Sequence, residues 1–271
     1  MELDIRDLQK IELNILTEID KVCRENNLKY FLIGGTLLGA IRHGGFIPWD
    51  DDIDIGMPRE DYEKFISIGN EKVPKHLKLE CYKNNKRFPH AFAKVIDTRT
   101  VIVEKALNFQ TGVYVDIFPF DGVPENKFIR KMHFKYVYFL RRIFTAYFMD
   151  DKIIVEKKGK IYLYLIKLMR KIVNIDKIFS KLDNTLKKYS YKESKFVCNY
   201  LGAYFERETV PKDSIGELND IIFEGKKFMS MEKPDDFLKN AYGDYMKLPP
   251  VEKRKSHHDF EIIKIDMSII E

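Results

Sequence analysis

Cysteine is scarce in this chain: Cys23, Cys81 and Cys198 are its whole complement, an odd number with no CxxC spacing. That excludes a disulfide-stapled scaffold or a zinc ribbon and points to reduced thiols in a cytoplasmic compartment. Long apolar runs are absent too. No window reaches 18 uncharged apolar residues, so no spanning helix is expected. The start, MELDIRDLQKIELNIL, is acidic and amphipathic, whereas a secretory signal is basic and then apolar. Internal repeats and low-complexity linkers are missing, and tryptophan occurs once, at Trp49. What remains is an ordinary globular composition, 45% hydrophobic and 33% charged over 271 residues. Such a chain has the length for one large domain or two small ones.

The pattern of elements is mixed. Ile5, Leu8, Ile11, Ile15, Ile19 and Val22 trace one face of a helix over residues 4–26. A strand from Lys29 to Ile33 follows, then a Gly34-Gly35 turn and a helix from Thr36, its natural N-cap, to Arg42. A second strand is expected through Asp52-Ile53-Asp54-Ile55, with Pro58 as the first position of another helix. Residues 77–82, 91–96, 100–104 and 113–118 read as strands, the last stopped by Pro119 and Asp121-Gly122. Residues 125–189 are helical, aromatic and basic; 221–229 form a hairpin, and 235–242 a helix capped by Gly243. The expected fold is α+β. A mixed sheet flanked by helices occupies 1–124, a basic helical region 125–190, and a segment completing the site 191–271.

The chemistry concentrates between Tyr30 and Met57. Asp50, Asp51, Asp52 and Asp54 fall in five positions beside Trp49, Ile53 and Ile55. Adjacent carboxylates repel, and a folded chain tolerates such a cluster mainly when a cation neutralises it. In a strand, alternate residues share a face, so Asp52 and Asp54 would point together, with Asp50 if the strand starts early and Asp51 turned outward. Asp116, an acid inside the apolar run Val113–Phe118, is the natural third arm from a neighbouring strand. Three such acids make a hard-oxygen site for Mg²⁺, or Mn²⁺. Gly34, Gly35 and Thr36 would add backbone N–H groups that hold phosphate oxygens. Arg42 and Lys94 are candidates to neutralise a diphosphate, Arg99 a weaker one, each against the alternative of an ordinary ion pair. The adjacent His257 and His258 point apart and make no joint metal site; one of them, like His43 or His90, is a candidate to contact phosphate or act as an acid, against the alternative of a flexible basic tail.

A strand ending in Gly-Gly, a short helix, a D-x-D strand and a separate Asp resemble the polymerase-β-like nucleotidyltransferase core. The fuller text, GTLLGAIRHGGFIPWDDDIDIGMPREDYEKF, then VDIFPFDGVP, FEGKKF, YGDYMKLPP and EKRKSHH, resembles the LicD family, related to the fukutin-type enzymes. The 17 positions from Gly35 to Asp52 are long for the wider superfamily and usual for LicD-like chains. The resemblance implies transfer of phosphocholine from CDP-choline to a sugar hydroxyl of a teichoic acid or lipopolysaccharide precursor, with release of CMP. It implies metal ligation by Asp52, Asp54 and Asp116, deprotonation of the hydroxyl by Asp116, and phosphate held at Gly34, Gly35 and Thr36. Trp49 would then wall a cage for the quaternary ammonium, against the alternative of core packing. Phe118, Phe120 and Tyr114 share that ambiguity. A nucleotidyltransferase using the same acids on an NTP is the rival reading; a non-catalytic binding protein is disfavoured by retention of all three acids.

Charge is uneven. Residues 127–171 hold 13 Lys/Arg against 3 Asp/Glu, leaving the remainder of the chain at −5. Interleaved with aromatics and leucines, these residues suit either the outer face of a helical bundle or helices lying on an anionic bilayer at the inner face of the membrane. The latter would suit a lipid-linked acceptor. No nucleic-acid partner is expected, since no RRM, KH or finger signature accompanies the charge.

Overall fold

A computed structural model of the chain describes residues 4–256, 260–266 and 269, so His257 and His258 lie outside the described residues. Helix α1 (Ile5–Glu25) starts at Asp4, whose side chain accepts from the Asp7 N–H, and buries the stripe that runs from Leu8 to Val22. Strand β1 is only Phe31–Leu32. Helix α2 (Gly34–His43) begins two residues before the expected Thr36 cap. The reason is Gly34, which enters the helix at φ +57°, a conformation that suits glycine. Strand β2 is Asp54–Pro58 and α3 is Arg59–Lys72, so Pro58 is the cap rather than the first helical residue.

Strands β3 (Leu77–Glu80), β4 (Ala93–Asp97), β5 (Thr100–Glu104) and β6 (Phe109–Thr111) lead to β7, Tyr114–Val123. Strand β7 does not stop at Pro119. The Asp116 N–H donates to Ile53 O on the β2 side, so the backbone N of residue 119, three places on, faces the opposite edge. On that edge β4 has ended at Ile117 and the next partner begins only at Asp121, so the missing N–H of proline costs no ladder bond.

The basic region forms α4 (Lys127–Phe148), α5 (Asp151–Lys158), α6 (Lys160–Ile172) and α7 (Ile175–Leu186). Then come β8 (Phe196–Cys198), β9 (Thr209–Pro211), α8 (Lys212–Ile215), the hairpin β10 (Asn219–Phe223) and β11 (Lys226–Ser230), α9 (Pro234–Tyr242) and β12 (Phe260–Ile265). The main sheet runs β1-β2-β7-β4-β3, with β8 and β9 prolonging it from the far end of β7, while β12-β5-β6 form a separate sheet. The architecture is α+β, as expected. One apolar core runs from Leu8 to Tyr245 and takes in Phe134, Val137 and Leu140 of α4. No helix among the described residues is long and apolar enough to cross a membrane.

What this topology does for the site is set by one pairing. Strands β2 and β7 are parallel, and their register puts Asp54 directly beside Asp116.

Candidate active site

The loop before β2 and the start of α2 form one wall of a 640 Å³ cleft; Asp50, Asp52 and Asp54 line it together with Trp49 and Arg42. The other wall comes from late in the chain, including Tyr204, Tyr242, Tyr245 and Lys247. Carboxylate oxygens of Asp50, Asp51 and Asp52 lie within 4.8 Å of one another. Asp51 therefore does not point outward. It is 4% exposed and accepts a hydrogen bond from Ser256 Oγ. Strand alternation failed here because β2 starts at Asp54, leaving residues 50–53 outside the pleat.

The two glycines make room for these acids. A Cβ on Gly34 would stand 2.6 Å from Asp54 Oδ2, and one on Gly35 2.3 Å from Asp50 Oδ2. Thr36 is buried, and its Oγ1 accepts from the Asp54 N–H at 2.9 Å, fixing where β2 begins. Gln9 of α1 steadies the same loop by donating to Asp50 O at 2.9 Å.

Burial, then the charges of Asp52, Asp116 and Asp50, push the Asp54 carboxyl well above the usual range. A residue that motif reading missed shares this condition. Glu12 of α1 is buried, its Oε2 has no hydrogen-bond partner among the described residues, and burial followed by Asp52, Asp51 and Asp50 drives it upward as well. Its signal was there: an acid inside the stripe Leu8, Ile11, Ile15, Ile19. Three carboxylates converging within 4.8 Å, whose charges raise Asp54 and Glu12 beside them, are a donor set that fits a divalent cation.

Asp116 is held differently. Lys94 Nζ lies 3.0 Å from Asp116 Oδ1 and 3.2 Å from Glu104 Oε1, and His90 Nε2 is 2.7 Å from the other Glu104 oxygen. Lys94, 2% exposed, also sits 3.2 Å from the centroid of the Tyr114 ring. Burial pushes Glu104 up, but Lys94 and His90 outweigh it and hold the group down at about 2. The structure thus does not bring Lys94 to the cleft as a cation for diphosphate; it stands behind Asp116.

Other candidates separate cleanly. Arg42 lines the cleft and donates to Tyr245 O at 2.7 Å. Trp49 is half-buried, edge-on to His43 at 6.4 Å, with Arg254 Cζ 5.6 Å from its ring centroid. Phe118, Phe120 and Tyr114 are core residues, and Arg99 pairs with Asp97 at 2.5 Å. The cleft wall at Tyr204 depends on two residues without a sequence signature. Arg141 of α4 donates to the carbonyls of Tyr200, Leu201 and Gly202, and Glu208 accepts from the Tyr204 N–H at 2.9 Å. Burial pushes Glu208 up to about 7, against the lowering by hydrogen bonds from the Tyr204 N–H and Asn199 and by the charge of Arg141.

The profile of the family described as LicD/FKTN/FKRP, nucleotidyltransferase domain, matches residues 27–151, the stretch holding the acids and both central strands. Beyond that stretch, the chain is 34% identical over 95% of its length to the lipopolysaccharide cholinephosphotransferase LicD of Haemophilus influenzae, covering 97% of that protein. The chain belongs to the LicD family. Shorter matches to this LicD-family chain are an uncharacterised protein of Rickettsia typhi, 32% identical over 45% of the chain and 38% of its own length, and human ribitol 5-phosphate transferase FKRP, 59% identical over 12% and 7%. The family expected from the motifs is the family found.

Proposed function

We propose that the protein is a phosphotransferase that moves phosphocholine from CDP-choline to a hydroxyl of a cell-surface carbohydrate precursor, of lipopolysaccharide or teichoic acid type, releasing CMP. The observation that carries the reading is likeness to a lipopolysaccharide cholinephosphotransferase along nearly the whole of both chains. The likeness to a ribitol phosphate transferase covers only 34 residues, which favours choline over another CDP-linked alcohol.

In this reading Asp52, Asp54 and Asp116 hold Mg²⁺, or Mn²⁺, with Asp50, Asp51 and Glu12 completing the negative surround. When bound, the ion supplies charge neutralisation for the diphosphate and for CMP as it departs. The N–H groups at the start of α2, around Gly34 and Gly35, meet phosphate oxygens; Thr36 contributes by positioning Asp54. Trp49 offers its ring to the choline ammonium, and Arg42 faces the nucleotide phosphates. The acceptor oxygen bonds to the phosphorus bearing choline, the bond from that phosphorus to CMP breaks, and CMP keeps the electron pair. Asp116, held in place by Lys94, orients the hydroxyl and takes its proton. The three-part division at 124 and 190 follows: a core with the acids, a basic region, and a C-terminal segment supplying the opposite wall. The reaction belongs on the cytoplasmic side, with a lipid-linked acceptor.

The test incubates the protein with Mg²⁺, a water-soluble carbohydrate acceptor and, in turn, CTP, ATP, CDP-choline and CDP-ribitol. CMP release from CDP-choline, lost in Asp52→Asn, is the expected result. Pyrophosphate release from an NTP with CDP-choline inert would instead make the protein a nucleotidyltransferase.

A further inference from the structure

Helix α6 is apolar on both sides. Its inner side, with Leu163, Ile166 and Met169, packs on Ala146 and Ile154 in a small separate core. Its outer side repeats Ile161, Tyr164, Leu165, Leu168 and Ile172, exposed by 82, 69, 53, 45 and 74%. These positions follow the i, i+3, i+4, i+7 pattern of one continuous stripe, where a surface helix normally carries polar residues. Lys160, Lys167 and Lys171 flank it along one side, Lys167 paired with Asp151 at 3.1 Å. On α4, Phe128, Met132 and Phe139 are exposed by 74, 50 and 57%, with Lys131, Lys135 and Arg142 among them.

We infer that α6, with the exposed edge of α4, docks the protein onto an anionic phospholipid surface. Apolar side chains enter the headgroup boundary while lysine stems extend along them and place their ammonium groups at the lipid phosphates. Each cation near such a surface adds to the attraction. A second copy of the chain is a poorer occupant. A two-fold pairing of this face would set Lys160 and Lys171 of each copy in one contact, and facing like charges oppose it.

This region also adjoins the cleft. Ala203 lines both the cleft and a second cavity of 340 Å³, whose other walls include Tyr138 and Arg142 of α4, Lys158 of α5 and Tyr162 of α6. A lipid-linked acceptor held at the surface would approach the acids from this side. That purpose rests on the proposed transfer reaction, whereas the docking face stands on its own residues.

Co-sedimentation with phosphatidylglycerol-rich and with pure phosphatidylcholine vesicles at low ionic strength tests it. The wild type is expected to pellet with the first and weakly with the second. Ile161→Asp with Leu165→Asp should weaken binding by about 30-fold or more, with circular dichroism and melting temperature unchanged. Lys160→Glu with Lys171→Glu, which leaves the apolar stripe whole, should abolish the preference for phosphatidylglycerol. A wild type that stays in the supernatant, variants that pellet like wild type, or a solution dimer that the Asp pair converts to monomer would each overturn the docking. CMP release from CDP-choline with a water-soluble acceptor fragment, measured on the same preparations, reports the transfer reaction separately. Vesicle binding without CMP release sinks the reaction and leaves the docking standing.

Discussion

Asp121, fully buried, and Asp54, half-buried, are acids of the central sheet on neighbouring strands, and the protein treats them in opposite ways. Asp121 receives the Arg59 guanidinium through two hydrogen bonds, at 2.7 and 2.5 Å, and that guanidinium also reaches Asp183 and Glu63. Asp116, five positions before Asp121, has Lys94. Asp54 and Glu12 have no ion pair among the described residues, and their neighbours are further acids. The fold is therefore able to supply an internal cation to a buried carboxylate and does so twice along β7, from Arg59 of α3 and Lys94 of β4. At the cleft it does not. The contrast supports a cation that comes from outside the chain, and it predicts that the two kinds of acid respond oppositely to neutralisation.

The largest effect should come at the cleft. Asp54→Asn is expected to lower CMP release by on the order of 10³-fold, the loss of several kcal/mol of charge stabilisation. The same change should raise the melting temperature of the metal-free protein at pH 8. A carboxyl raised on folding contributes most below its unfolded pKa and loses that contribution as pH rises, so the gain should vanish near the unfolded carboxylate pKa of about 4. A melting temperature that falls at pH 8 would break the comparison.

Arg59→Met should destabilise the fold by about 3–5 kcal/mol in urea unfolding, because it strands the Asp121 charge; Arg59→Met with Asp121→Leu should recover much of the loss. Glu208 sharpens the contrast from a third position. Its carboxyl is at about 7 in the fold against an ordinary 4.5, and it is almost fully buried. Glu208→Gln should therefore be neutral near pH 4 and stabilising by about 3 kcal/mol above pH 8, at about 1.36 kcal/mol per pKa unit. Equal unfolding curves at pH 4 and pH 8 would remove Glu208 from this class.

Periodic features were legible in advance. The stripe of α1, the β10-β11 hairpin and α9 with its Gly243 cap all formed within two residues of expectation. That Asp116 stands on a strand next to the one carrying Asp54 was also legible, from an acid inside the apolar run Val113–Phe118; their parallel register was not. What escaped were contacts closed by distant chain. Lys94 reads as an available cation until Glu104, from the separate β5 sheet, closes on it from the other side. The register of β7 past Pro119 depends on where β4 ends and β8 begins, which local propensity does not encode. Asp51 reads as outward because alternation was extended into residues that precede the strand. Arg141 and Glu208 shape the cleft wall through carbonyls and a backbone N–H, and such contacts leave no motif.

The chain contains one tryptophan, and it lines the cleft beside Arg254. Indole emission therefore arises from a single place, next to the acids. Ligand entry that shifts the guanidinium off that ring changes the quenching and polarity around it with no other fluorophore of its kind to dilute the signal. The protein carries its own optical titration probe, suited to following nucleotide and metal binding in unlabelled material, even in variants that no longer turn over.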